Sequence, residues 1–222
     1  PGWLGTRFQA LSPSGQARKN MELSVDANRF QSRHALLDSI DVINRKMDRS
    51  GQMEGLDGFE QQAFDLVLGS AKDAFDIKKE DPKVRARYGR GLGEQLLLAR
   101  RLTAAGSRFV NIQYGGWDMH GNADVGIFEN GWNGLPFALP RTDQAVAALL
   151  EDLRERGLLD TTLVVLVGEF GRAPKISKGA KRIGRNHWPQ CYSAMLAGAG
   201  IRGGSVYGES DKHAAYVKSN PV

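Results

Sequence analysis

A chain of 222 residues with 41% hydrophobic and 25% charged residues has ordinary globular composition and enough length to bury a core. No run approaches the roughly 18 uninterrupted apolar residues of a membrane span, and the single cysteine, Cys191, excludes an internal disulfide framework and a cysteine-cluster zinc finger. The net charge of +5 permits an anionic partner, but no zinc-finger spacing, glycine clamp or aromatic RNA-binding signature accompanies it, so nucleic acid is not expected.

The chain opens on Pro1-Gly2-Trp3 and closes on Pro221-Val222, and it reads as an internal piece of a larger domain. Its first part, 1–106, is expected to be mainly helical. Phe30, Leu36, Leu37, Ile40, Ile43 and Met47 recur at helical spacing over 26–48, with Asp26 as N-cap and Ser50-Gly51 as the stop. A second pattern runs over 57–69 through Phe59, Ala63, Leu66 and Val67. A third follows Pro82 over 83–105 and ends at Gly106. Residues 1–25 and 49–56 read as loops.

The rhythm changes over 107–222, the expected sheet portion of the same domain. Arg108 to Tyr114 is β-like, 139–156 is a helix closed by Gly157, and Thr161 to Val167 is apolar and β-branched, as in a strand buried on both faces. Strand, helix and strand of this length predict a right-handed parallel βαβ unit. The stretch 168–190 has no helical period. Without a crossover helix, the next strand, Cys191 to Ala197, is expected to return antiparallel, which brings its start to the sheet edge where the second strand ends.

Three polar constellations fall at that edge. In Gly115-Gly116-Trp117-Asp118-Met119-His120-Gly121, Asp118 and His120 are two apart and point the same way in an extended loop. They can face a metal or simply bond each other. Glu169, in Gly168-Glu169-Phe170-Gly171-Arg172, follows the second strand and can be a ligand or the ion-pair partner of Arg172. His187, in Gly184-Arg185-Asn186-His187-Trp188-Pro189, precedes the third strand and can be a ligand or structural. Together, two imidazoles and a carboxylate with an open position form the ligand set of a catalytic zinc or a related ion. Arg172, Lys175, Lys178, Lys181, Arg182 and Arg185 would suit a phosphate or sulfate ester, or form a solvated loop. Trp117, Trp132 and Trp188 can stack on a sugar ring or pack, Met119 and Cys191 are expected to pack, and Asp143 reads as a helix cap. His34 and His213 lie away from this edge.

These stretches, with Thr162-Leu163-Val164-Val165, Leu196-Ala197-Gly198 and Ala215-Tyr216, resemble the bacterial DUF1501 proteins, a sulfatase-like branch of the alkaline phosphatase superfamily. The matches cover most of 85–222, corresponding to the C-terminal half of that fold. The resemblance implies an α/β, alkaline-phosphatase-like mixed sheet flanked by helices, with a helical N-terminal segment and one or two divalent metals at the sheet edge. It implies Asp118, His120 and His187 as ligands of one metal and Glu169 as the acidic ligand of a second. Zinc is the first choice of ion, with calcium, magnesium or manganese as alternatives. Arg172 would stabilise charge on the transferring group, and the nucleophile would lie upstream of this chain. Where the superfamily usually has His the chain has Phe170, and where the family usually has Asp it has Asn186.

The function so implied is a metal-dependent hydrolase of phosphate or sulfate esters, acting on a small anionic ester such as a sulfated or phosphorylated sugar. Its location would be periplasmic or exported. The alternative is an exported or surface-associated protein that binds metal or anion without catalysis.

Overall fold

The computed structural model describes residues 12, 24–45, 71–120, 126–128, 134–178 and 182–221. The chain divides into two compact units, Pro1–Lys79 and Glu80–Val222. In the first, α1 spans Ala27–Arg45. Asp26 caps it as expected, its Oδ1 accepting the Arg29 backbone N–H at 2.8 Å. A short helix α2, Ala71–Ala74, and a 3-10 turn, Ile77–Lys79, end the unit, with the Lys79 ammonium paired to Asp73. The helix expected over 57–69 and the stop at Ser50-Gly51 lie outside the described residues.

The second unit begins with two helices, α3 (Pro82–Tyr88) and α4 (Leu92–Ala104), where the periodicity predicts one. Gly89 and Gly91 take φ of 78° and 68° and turn the chain between them. The apolar spacing continues across this break, which is why a period alone misses it. Asp81 caps α3 by accepting the Lys83 N–H at 2.7 Å.

Helix α5 spans Leu135–Glu155, with Pro136 in its first turn. It starts four residues earlier than expected, so Asp143 is an exposed mid-helix residue and not a cap. Its buried face is Ala138, Ala145, Ala148, Leu149, Asp152 and Leu153, whereas Leu139 is half exposed. Helices α3, α4 and α5 pack together around Tyr88, Leu97 and Leu153.

That core contains a buried ionic group. Asp152 accepts from the Tyr88 hydroxyl at 2.9 Å, from Arg100 Nε at 2.7 Å and from Arg156 Nε at 2.6 Å. Glu80 accepts from Arg100 at 2.5 Å, Arg101 at 2.8 Å and Arg156 at 3.1 Å. Burial pushes both carboxyls up. Hydrogen bonds from Arg156 and Tyr88 to Asp152, and from Arg100 and Arg101 to Glu80, outweigh it and hold both below the ordinary carboxylate range.

The strands are short. Residues 108–114 form none, Phe109 is largely exposed, and no parallel pair exists among the described residues, so the expected βαβ unit is not formed there. Strand β1 is Val164–Leu166. The stretch 168–190, which lacked a helical period, is an antiparallel arm built from β2 (Gly171–Arg172), β3 (Ser177–Lys178), β4 (Ile183–Gly184) and β5 (His187–Trp188). In it β2 pairs with β5 and β3 with β4. Strand β6, Met195–Ala197, pairs antiparallel with β1, Val165 opposite Leu196, as the missing crossover helix predicts.

Burial of β1 on both faces is not realised. A two-stranded sheet gives it one ladder and leaves Leu163, Val165, Leu166 and Val167 about half exposed. A last hairpin joins β7 (Glu209–Ser210) to β8 (Val217–Ser219). The fold is α/β in the sense that helices and small antiparallel sheets share the chain.

Candidate metal centre

The loop 117–120 is pinned by its middle residue. Met119 is buried, as expected for it, and its carbonyl accepts the Arg185 N–H at 2.9 Å. The flanking residues, Asp118 and His120, meet each other instead, in a loop tightened by two successive γ-turns, the Met119 N–H donating to the Trp117 carbonyl at 3.0 Å and the His120 N–H to the Asp118 carbonyl at 3.2 Å. The arm supplies the third group. Its basal rung sets Arg172 opposite His187, and both reach the loop.

Everything converges on one atom. Asp118 Oδ1 lies 2.6 Å from His120 Nε2, 3.1 Å from His187 Nε2 and 3.2 Å from Arg172 Nη2. The candidate ligand atoms of Asp118, His120 and His187 all lie within 4.8 Å of one another. The two imidazole rings are 4.5 Å apart. The His187 hydrogen bond, opposed by desolvation and joined by Arg172 and His120, holds the Asp118 carboxyl down at about 2.

This donor set fits a divalent ion. Zinc bonds of about 2.0–2.2 Å in a tetrahedron place neighbouring donors roughly 3.3 Å apart. The separations of 2.6 and 3.1 Å from Asp118 Oδ1 to the two imidazoles need only a small opening to meet that spacing. Two imidazoles and one carboxylate also leave a fourth position free.

Glu169 stands outside this group; it is exposed. Phe170 and Arg172, two apart, take the side facing the triad, the Phe170 ring lying 4.3 Å from that of His187. Asn186 serves the arm's backbone, its carbonyl accepting the Ala173 N–H at 2.8 Å.

The cations divide by role. Arg172 also donates to the Trp117 carbonyl at 2.9 Å, tying the arm to the loop. Arg185 braces the arm by donating to the carbonyls of Ala173 at 2.6 Å and Arg172 at 3.0 Å. Lys175 and Lys178 are exposed, and Lys181 lies outside the described residues.

Trp188 is held by structure, donating to the Ala215 carbonyl at 2.6 Å and packing edge-on against Tyr216. Trp117 packs edge-on against Tyr114, and Trp132 lies outside the described residues. Cys191, expected to pack, borders an open hollow with Tyr192, Ser193 and Ser210. No motif marks these last three, and only the folded arm brings them to a wall shared with Phe170 and Arg172.

No curated protein and no solved structure matches the chain. One family of sequences does, along residues 1–222 and so through the N-terminal helices as well as the stretch carrying the motifs. The chain belongs to that family, the proteins of unknown function DUF1501.

Proposed function

We propose that the protein is a metal-dependent hydrolase of phosphate or sulfate esters, built on an alkaline-phosphatase-like fold and acting in the periplasm or outside the cell. The observation that carries this reading is the convergence of Asp118, His120 and His187 within 4.8 Å beside a guanidinium. A divalent ion at that point supplies charge that polarises the ester oxygens. Zinc suits two imidazoles best, and calcium, magnesium or manganese suit the carboxylate.

The chain's own residues do the rest. Asp118 stays ionised and so remains a ligand across the working pH range. Arg172, permanently charged and held by the Trp117 carbonyl, stabilises negative charge growing on the transferring group. In the net reaction water gives its oxygen to phosphorus or sulfur, the bond to the alcohol oxygen breaks, and the alcohol leaves with a proton from that water.

A second reading is favoured by Phe170. Its ring packs on His187 where the superfamily usually places a further imidazole, and Glu169 is outside the triad. A protein of this kind binds metal without turnover. Metal analysis of the full-length protein, with zinc titration of His120→Ala, tests both. One ion per chain, lost in the variant, is expected; no ion removes both readings. Cleavage of 4-nitrophenyl phosphate or sulfate above background supports the hydrolase, and tight metal binding without cleavage supports the second reading.

A further inference from the structure

Arg172 and a divalent ion have claims on the same oxygen. Arg172 Nη2 lies 3.2 Å from Asp118 Oδ1, the atom that also lies 2.6 and 3.1 Å from the two imidazoles. A carboxylate oxygen has about two lone pairs, so three donors crowd it. An ion bonded to that oxygen is a close neighbour of the guanidinium. The two positive charges repel, and the guanidinium keeps its charge at every working pH.

The guanidinium does not depend on Asp118 for its place. Nη2 also donates to the Trp117 carbonyl at 2.9 Å, and Nη1 donates to the Arg185 carbonyl at 3.4 Å. Both acceptors are neutral backbone groups that hold the side chain without offsetting its charge. Asp118 is the one carboxylate paired with Arg172 among the described residues, so an ion that takes Asp118 leaves the guanidinium in need of another anion. The Arg172 side chain is 28% exposed, and a dissolved anion can reach it.

Resting on the reading of the triad as a metal centre, we propose that Arg172 couples the metal to the anion: it opposes a divalent ion at Asp118 until an anion pairs with the guanidinium in place of that carboxylate. Ion and anion then bind cooperatively, and each tightens the other by the same factor, as linkage requires. A centre built this way holds its ion weakly alone and firmly with the anion present. Arg172 acts here on the metal affinity, a role separate from its effect on a transferring group.

Zinc affinity of the full-length protein tests this, measured by dye competition with and without sulfate, chloride holding the ionic strength constant. In the wild type, saturating sulfate is expected to tighten zinc about tenfold, within the ~5–150-fold usual for coupled sites. Arg172→Met removes the charge, and without sulfate it is expected to bind zinc roughly tenfold more tightly than the wild type, the effect of one unit charge beside a divalent ion near water. Sulfate should then add less than about twofold. Arg172→Lys keeps the charge and is expected to stay within about threefold of the wild type. Weaker zinc in both variants would make Arg172 only a tie between arm and loop, and overturns the proposal. A sulfate factor equal in the wild type and Arg172→Met also overturns it, because the coupling then comes from sulfate on the ion itself. A wild type indifferent to sulfate overturns it with no variant needed. Zinc that fails to bind under any condition strikes the metal reading, whereas zinc bound without coupling strikes this proposal alone.

Discussion

Arg172 and His187 face each other across the basal rung of the arm, and both reach the same oxygen, Asp118 Oδ1, at 3.2 and 3.1 Å. One ladder pairing thus presents a permanent cation and a potential ligand to a loop that lies more than 50 residues earlier in the chain. The site is only as well ordered as that rung.

The triad predicts a sharp division among single substitutions. His120→Ala and His187→Ala each remove one of three donors and are expected to weaken zinc at least about a hundredfold, more than the ~10–100-fold typical of losing a ligand's supporting partner. Glu169→Gln is expected to stay within about twofold of wild type, because its carboxylate is outside the group. Competition against a zinc-binding dye measures all three. A large loss in Glu169→Gln would place that carboxylate on the metal.

Gly171 makes the rung possible. A methyl group there would overlap the Cys191 carbonyl oxygen and lie 2.9 Å from that of Trp188. Both are backbone atoms, so the strand itself must shift. Gly171→Ala is expected to cost about 1–3 kcal/mol in urea unfolding, as overpacking does, and to weaken zinc by moving Arg172 and His187 together. Gly115→Ala is the control, since nothing lies within 4 Å of its added methyl. Equal stability of the two variants would mean that the close approach at Gly171 does not exist in solution.

Much of the site was legible before the fold. The Asp118–His120 pair is legible in the two-residue spacing, although γ-turns and not an extended loop bring the two together, and the approach of His187 follows from the antiparallel return of β6. The arm was not legible, because strands of two residues are too short to show a period. Phe170 was noted only as a departure, and its contact with His187 depends on the bend before β2. Asp152 escaped notice for a different reason. It falls within an apolar stripe, and its partner Arg100 lies 52 residues away in sequence. The β-branched run at 161–167 suggested full burial, yet composition does not specify how many strands or layers cover it.

Acid should unfold the helical core through Asp152 and Glu80. Both carboxyls are held below their ordinary values in the folded protein, by Arg156, Tyr88 and Arg100 at Asp152 and by Arg100 and Arg101 at Glu80, against the opposing effect of burial. Their stabilising contribution is complete above the unfolded values of about 4 and disappears as pH falls through the lower folded ones. Asp152→Asn is expected to lose about 1–3 kcal/mol at neutral pH, because the buried Arg100 keeps Glu80 but loses one of its two carboxylate partners. It should also flatten the acid limb of stability against pH, followed by circular dichroism in urea. Replacing both residues together, as Asp152→Asn with Arg100→Met, should recover part of the loss. An acid limb identical to wild type in Asp152→Asn would assign acid sensitivity to other groups.

The two apolar regions should respond very differently to the same kind of change. Leu153 is 1% exposed among α3, α4 and α5, so Leu153→Ala is expected to cost about 2–5 kcal/mol, the range for a buried leucine. Val165 is 50% exposed on β1, so Val165→Thr should stay within about 0.5 kcal/mol, as exposed substitutions do. Urea unfolding of both variants makes the comparison. A loss above about 2 kcal/mol in Val165→Thr belongs to the range for buried positions, and would mean that β1 is covered in solution by something the two-stranded sheet does not supply.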